Sequence, residues 1–252
     1  MYTKIKTDDE IAAMRVGGRI LATVLAIIEK AGEAGATTKE LATIAINELE
    51  RLGGKPAFRG YGQPPFPDVL CVSINDEVVH GIPRISTVLR KGDIVSIDFG
   101  VIYEGMVTDG ARSFIVGDAT KQAKQLVATT EKALYAGIDT LKAGVRVGDI
   151  ASAIQKVLTG GGLGIVRDLV GHGVGHSLHE EPDIPNYGFG GSGPVLQAGM
   201  TIAIEPMATL GTHAVTLDDD QWTVRTADGS LAAHFEHTIL ITPRGYEILT
   251  QI

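Results

Sequence analysis

The sequence has a single cysteine, Cys71, so no disulfide can form within the chain. That permits a reducing compartment without requiring one. Positive charge is also short: 22 lysines and arginines face 30 aspartates and glutamates, a net of −8. Nucleic-acid binders usually carry a basic face, so this balance argues against that class, a local basic patch aside. The first residues, MYTKIKTDDE, lack the apolar core of a signal peptide. No stretch reaches the ~18 uncharged apolar residues of a membrane span. These absences leave a soluble, cytoplasmic globular protein as the expectation.

The 252 residues are 44% hydrophobic, enough for one large domain or two small ones. Glycine is abundant, with 32 residues clustered around the polar motifs, where a backbone must turn tightly or approach a ligand. Thr7 with Glu10 forms a capping box, and Asp8 and Asp9 suit a helix N-terminus. Apolar positions then recur from Ile11 to Ile28 at helical spacing, and Gly32 and Gly35 are placed to end the helix. A second box, Thr37 with Glu40, opens a helix that runs to about Leu52. Residues 55–70, rich in proline and glycine, read as a shaped loop. Strands are expected at about 70–75, 94–103, 106–116, 194–206, 221–226 and 231–241, and further helices at about 120–142 and 147–158. Lys30-Ala31-Gly32 and Lys142-Ala143-Gly144 each precede a short helix. They hint at two related halves, each running long helix, short helix, strands.

The chemistry concentrates in a few places. The segment IVSIDFGVIYEGMVTDGARSF, residues 94–114, reads as a hairpin turning at Glu104-Gly105. If Tyr103 lies opposite Met106, then Asp98 lies opposite Ala111. Asp98 and Asp109 then emerge on one face as diagonal neighbours, whereas a one-residue bulge would separate them. Neighbouring carboxylates on an apolar strand repel and are costly to desolvate. A wet face, or an arginine such as Arg112, would account for the pair without function. Glu205 and Glu236 each interrupt a further apolar run, in TIAIEPMATL and LAAHFEHTILIT. Four such carboxylates are hard to explain as four independent salt bridges. Among seven histidines, His172 and His179 lie in GHGVGHSLHEEP and His80 in NDEVVHGIP. A lone histidine is more often a surface or core residue than a ligand, but glycines flank both His80 and His172. Asp98, Asp109, His172, Glu205 and Glu236 make an oxygen-rich set with one imidazole, which suits Mn, Fe or Co better than the thiolate shell of structural zinc. Five ligands exceed the need of one ion with an open position, and bridging carboxylates over two ions account for the number; aminopeptidases are a known case of two-metal chemistry.

The motifs NDEVVHGIP, SIDFG, VTDGARSF, GHGVGHSLHEEP, IAIEPM and FEHTILIT together resemble the type I methionine aminopeptidases, in order and spacing, from about residue 7 to 250. The resemblance implies an α+β pita-bread (creatinase/aminopeptidase) fold. Two pseudo-symmetric halves would enclose a dimetal site on a central antiparallel sheet flanked by helices, as one catalytic domain over residues 1–252. It implies removal of the initiator methionine ahead of a small second residue. Asp98 would hold one metal and His172 the other, with Asp109 and Glu236 bridging and Glu205 completing the His172 ion. His80 and His179 would contact substrate. Phe66, Cys71, Met207 and Trp222 would line the methionine pocket, with Cys71 open to thiol reagents; Trp222 alone reads equally as a core or rim aromatic. The implied cofactors are two divalent ions: Co, Mn, Fe or Zn. The implied partners are nascent polypeptide N-termini, with transient ribosome contact, no nucleic-acid role and no membrane, for a monomer in the cytoplasm. Leu178 departs from the family, which often has an aromatic there. Without a long N-terminal extension or the ~60-residue insertion of type II, the chain looks like the short bacterial form. The alternatives are an Xaa-Pro aminopeptidase or prolidase of the same fold, and a catalytically dead binding relative, which would typically lose metal ligands.

Overall fold

A computed structural model describes residues 5–252. The first half runs α1 (Asp8–Ala31), α2 (Thr38–Arg51), β1 (Lys55–Pro56), β2 (Cys71–Ile74), β3 (Glu77–Val79), β4 (Ile94–Asp98), β5 (Val101–Tyr103), β6 (Met106–Thr108) and β7 (Ala111–Ile115). The second runs α3 (Lys121–Ile138), α4 (Val147–Gly160), β8 (Gly164–Ile165), β9 (Gly171–Gly173), β10 (Glu180–Ile184), β11 (Thr201–Ile204), β12 (Met207–Thr209), β13 (Val215–Leu217), β14 (Val224–Thr226), β15 (Ala232–His234), β16 (His237–Ile241) and β17 (Tyr246–Ile248). Both expected capping boxes form, on Thr7 and Thr37. α1 has the length and mean hydropathy, 1.8, of a membrane-crossing helix. That is an exception to the expectation from the sequence, although Arg15 and Arg19 interrupt its apolar run. Its apolar side is instead buried in the first half's core, where Leu21, Val24 and Ile28 meet Leu41, Leu49, Ile97 and Phe99. Gly18 lets the chain just past the last strand lie against this helix, since a Cβ there would sit 2.1 Å from the Leu249 carbonyl oxygen.

The second half repeats the plan. α3 and α4 cover β11, β15 and β16 through Leu126, Leu134, Ile150, Ile154, Ile202 and Ile239. In the first half the Gly35 amide donates to Leu89 and Thr37 bridges Val88; in the second, Gly144 donates to Leu196 and Arg146 bridges Val195. Gly35 and Gly144, with φ of +102° and +93°, are therefore the matching turns. The repeat is real, but the two Lys-Ala-Gly triplets that hinted at it are offset by three residues.

The hairpin register holds: Tyr103 pairs with Met106 and Asp98 with Ala111. Glu104 and Gly105 both have positive φ, 48° and 81°, as a two-residue hairpin turn requires. Each expected long strand is nevertheless broken, at Phe99-Gly100 and at Asp109-Gly110, and pairing resumes beyond the breaks in the same register. The expected strand at 194–206 likewise shrinks to β11, is interrupted by Glu205-Pro206, and resumes as β12, while Phe235-Glu236 divides β15 from β16. Pairs Ile204–His237 and Met207–His234 keep one register across that break.

β7 joins the halves. Ala111 and Glu236 exchange both backbone hydrogen bonds, at 3.3 and 2.9 Å. The Ser113 hydroxyl accepts from the His234 amide at 2.9 Å and donates to its carbonyl at 2.8 Å. The antiparallel sheet thus runs from β2 through β4 and β7 into the second half, and the four strand breaks line up in one row across this seam.

Candidate metal centre

The breaks carry the carboxylates. Asp98 ends β4, Asp109 sits in the facing break, Glu205 follows β11 and Glu236 precedes β16. Backbone groups freed at each break are satisfied locally. The Asp109 amide donates to Thr238 Oγ1 at 2.8 Å, and that hydroxyl donates back to the Asp109 carbonyl at 2.7 Å. Asn186 holds the Glu205 carbonyl at 3.0 Å. His172, on β9, pairs with Ala203 of β11. Its Nδ1 lies 2.9 Å from the Gly173 carbonyl. A carbonyl only accepts, so Nδ1 carries the proton and Nε2 is left with its lone pair.

One atom from each of Asp109, His172 and Glu236 can be chosen so that all three lie within 4.8 Å of one another, and the same holds for Glu205, His234 and Glu236. Asp98 lines the same cavity. Arg112, the arginine that could have neutralised the aspartates, pairs instead with Glu29 at 2.8 Å. Among the described residues, the ion-pair contacts of the four carboxylates are to histidines alone. Burial raises the pKa of all four above the usual carboxylate range, and the charges of Asp109 and Glu205 add to this for Asp98 and Glu236. Burial pushes His172 down to about 3, so the imidazole is neutral at neutral pH. Asp98 Oδ1 and Glu236 Oε1 are buried with no hydrogen-bond partner. A divalent cation fits this donor set: it would satisfy the orphaned oxygens, offset the repulsion and use the neutral imidazole.

A cavity of about 230 Å³ opens above the cluster. Its apolar wall includes Phe58, Phe66, Cys71, Val79, Leu178 and Trp222. Phe66 meets Trp222 edge-on with centroids 5.2 Å apart. His80 and His179 face the same space. Of the expected pocket residues, Phe66, Cys71 and Trp222 line the cavity. Met207 does not. It is fully buried on β12, in a cluster with Val79, Val166 and Val224, and Val79 is the member of that cluster that reaches the cavity. Cys71 is 3% exposed, and burial first, then the Asp98 charge, pushes its thiol well above the usual range. The expected ready access for thiol reagents does not follow from this placement. His80 has φ of 60°, a left-handed conformation rare outside glycine and often found at functional sites.

Besides the apolar wall residues Phe58 and Val79, two polar residues were not expected from the sequence. Tyr61 places its hydroxyl 2.6 Å from His179 Nδ1. The only hint was an aromatic within a Gly/Pro-rich loop. His234 brings Nε2 to 3.4 Å from Glu205 and 4.0 Å from Glu236. Its signal was position: side chains two apart on an extended chain share a face, and His234 is two before Glu236.

A family model for Metallopeptidase family M24 matches residues 12–243. The methionine aminopeptidase of Clostridium acetobutylicum is 45% identical over 246 residues, covering 98% of each chain. The chain belongs to metallopeptidase family M24. A crystal structure of the Thermotoga maritima methionine aminopeptidase superposes on this M24 chain with a TM-score of 0.97 at 45% identity, covering 99% of this chain and 100% of that one. The prolidase of Pyrococcus furiosus gives 0.79 at 23% identity, with 66% of its chain covered. The pita-bread architecture expected from the motifs is thus present. Prolidase, the runner-up from the sequence, shares the fold only. As an M24 member the chain is a metal-dependent peptidase.

Proposed function

We infer that this chain removes the N-terminal methionine from nascent proteins and peptides when the second residue is small. Supporting this is a buried carboxylate–histidine cluster at the floor of an apolar cavity of about 230 Å³. That is small against the ~300–1,000 Å³ of pockets for larger ligands, so it suits one side chain. Burying methionine against Phe66, Cys71, Leu178 and Trp222 contributes about 1.5–3 kcal/mol. A charged side chain there would lack a partner. Polarisable thioether contacts with Phe66 and Trp222 add selectivity.

We assign Asp98, Asp109, His172, Glu205 and Glu236 as ligands of two divalent ions, drawn from Co, Mn, Fe or Zn. Ions so held supply Lewis-acid polarisation and a water acidic enough to ionise near neutral pH. Glu205 takes the proton from the attacking water and passes it to the leaving amine. Accepting the Tyr61 hydroxyl proton at Nδ1 would leave His179 with Nε2–H to donate to the scissile carbonyl oxygen as charge builds there. His80 holds the scissile nitrogen or its neighbour; burial pushes it down to about 4, so it acts as a neutral imidazole. The chain acts as one catalytic domain, as a cytoplasmic monomer, with transient ribosome contact to reach nascent chains.

The test is turnover of Met-Ala-Ser against Ala-Pro-Ala, with and without a chelator. Chelator-sensitive cleavage of the first alone is expected. Preference for Ala-Pro-Ala would favour the Xaa-Pro reading, and activity indifferent to chelation would overturn the metal assignment.

A further inference from the structure

His234 is the buried polar group that the five-residue site leaves unexplained. It ends β15, is 1% exposed, and neither ring nitrogen has a hydrogen-bond partner. A buried imidazole with both nitrogens unpaired is costly, and such a group calls for a missing partner. Its backbone is fixed: the amide and carbonyl bond to the Ser113 hydroxyl at 2.9 and 2.8 Å, and the residue pairs with Met207 across β12. The backbone position is therefore set, and burial confines the ring.

It stands against the carboxylates. Nε2 is 3.4 Å from Glu205 Oε2 and 4.0 Å from Glu236 Oε2. On the other side of Glu205, His172 Nε2 is 3.7 Å from Oε1. These gaps exceed the ~2.7–3.2 Å of a nitrogen–oxygen hydrogen bond. They approach the separation of donor atoms sharing an ion: two ligands ~2.1 Å from one ion lie roughly 3.0–3.4 Å apart at octahedral or tetrahedral angles. Glu205, His234 and Glu236 have donor atoms mutually within 4.8 Å, as do Asp109, His172 and Glu236. Each triad has two carboxylates and one imidazole, and Glu236 belongs to both.

We propose that His234 is a sixth metal ligand in this chain, its Nε2 joining Glu205 and Glu236 around a divalent cation. The centre then carries two imidazoles, one per triad. A second nitrogen donor shifts its preference further from Mg and Ca toward the transition metals. This inference rests on the reading of the cluster as a metal centre.

The experiment uses the full chain, stripped of metal and titrated with Mn(II). Free Mn(II) is followed by electron paramagnetic resonance, and imidazole nitrogens coupled to the bound ions are counted by electron spin echo modulation. Wild type should show two coupled imidazoles. His234→Gln, with an unchanged circular dichroism spectrum, should show one and bind its weaker Mn(II) at least about tenfold less tightly, the scale on which even outer-sphere changes act. Equal coupling and affinity in the two proteins would overturn the proposal while leaving the metal centre intact. Failure of wild type to bind Mn(II) would overturn both. Anomalous scattering from Mn(II)-soaked wild-type crystals needs no variant. An ion roughly 2.0–2.3 Å from His234 Nε2 supports ligation; an ion out of reach, with Nε2–H donating to Glu205, overturns it.

Discussion

Removing the metal should reverse the ordinary effect of alkali on this protein. Burial raises the Glu205 carboxyl from 4.5 to about 8. Between those values the folded, metal-free protein holds a proton that the unfolded chain has released. Folding then binds protons, so stability falls as pH rises through the window, by up to about 1.4 kcal/mol per pH unit. Below 4.5 both states are protonated and the penalty vanishes. Histidines act in the opposite sense: His172 and His234, pushed to about 3 by burial, cost stability as pH falls below 6.5. The carboxylates therefore act unopposed between pH 6.5 and 8. Over that interval Glu205 alone costs about 2 kcal/mol, or roughly 4–8 °C in melting temperature for a chain of this size. Asp98, Asp109 and Glu236 push the same way. Calorimetry of the metal-free protein at pH 6.5 and 8 should show the fall, and Glu205→Gln should reduce it by about that amount. Saturating metal should abolish it, adding about 2.7 kcal/mol at a hundredfold excess over the dissociation constant. Metal-free protein that gains stability from pH 6.5 to 8, or a Glu205→Gln variant less stable than wild type at pH 8, would refute the reasoning.

His179→Ala should lower turnover by about 10²–10³, as loss of a transition-state donor typically does, with metal content unchanged by elemental analysis. Tyr61→Phe frees His179 Nδ1 and should cost less, in turnover rather than in metal. Gly62→Ala would set a Cβ 2.5 Å from Trp222 at a φ of +76°, displacing one wall of the cavity. Steady-state kinetics should show a raised KM for Met-Ala-Ser with metal binding intact. Thr37→Ala removes the α2 cap and should cost about 1 kcal/mol in urea unfolding.

The helices were legible because their ends are written locally. Thr7 and Thr37 each cap within one turn, and the observed starts follow them directly. The Glu104-Gly105 turn fixed the hairpin register for the same reason. The strand breaks at 99–100, 109–110, 205–206 and 235–236 left no such trace, because they are set by the other half of the sheet. Thr238, which holds Asp109, is 129 residues away. β9 and β10 also escaped notice: Gly171–Gly173 offers no alternation of polar and apolar residues, being buried on all three positions. Charges in apolar runs revealed the carboxylates, since Asp98, Asp109, Glu205 and Glu236 are expensive there without a partner. His234 gave no such alarm, because a neutral imidazole is a tolerable core residue. Met207 differs because motif resemblance fixes a residue's neighbours along the chain but not what packs over it: Val79, from β3, clusters with it and lines the cavity.

The seam between the halves is also a matter of order in time. Asp98 and Asp109 belong to the first half, whereas His172, Glu205 and Glu236 belong to the second. Synthesis delivers the first half before the second, and contacts between distant residues form late because long loops must close. During synthesis the first half must therefore present two unmatched carboxylates until β15 and β16 arrive to pair with β7. The proposed ligand set is therefore complete only when the sheet nearly is, and partly built copies hold only a part of it.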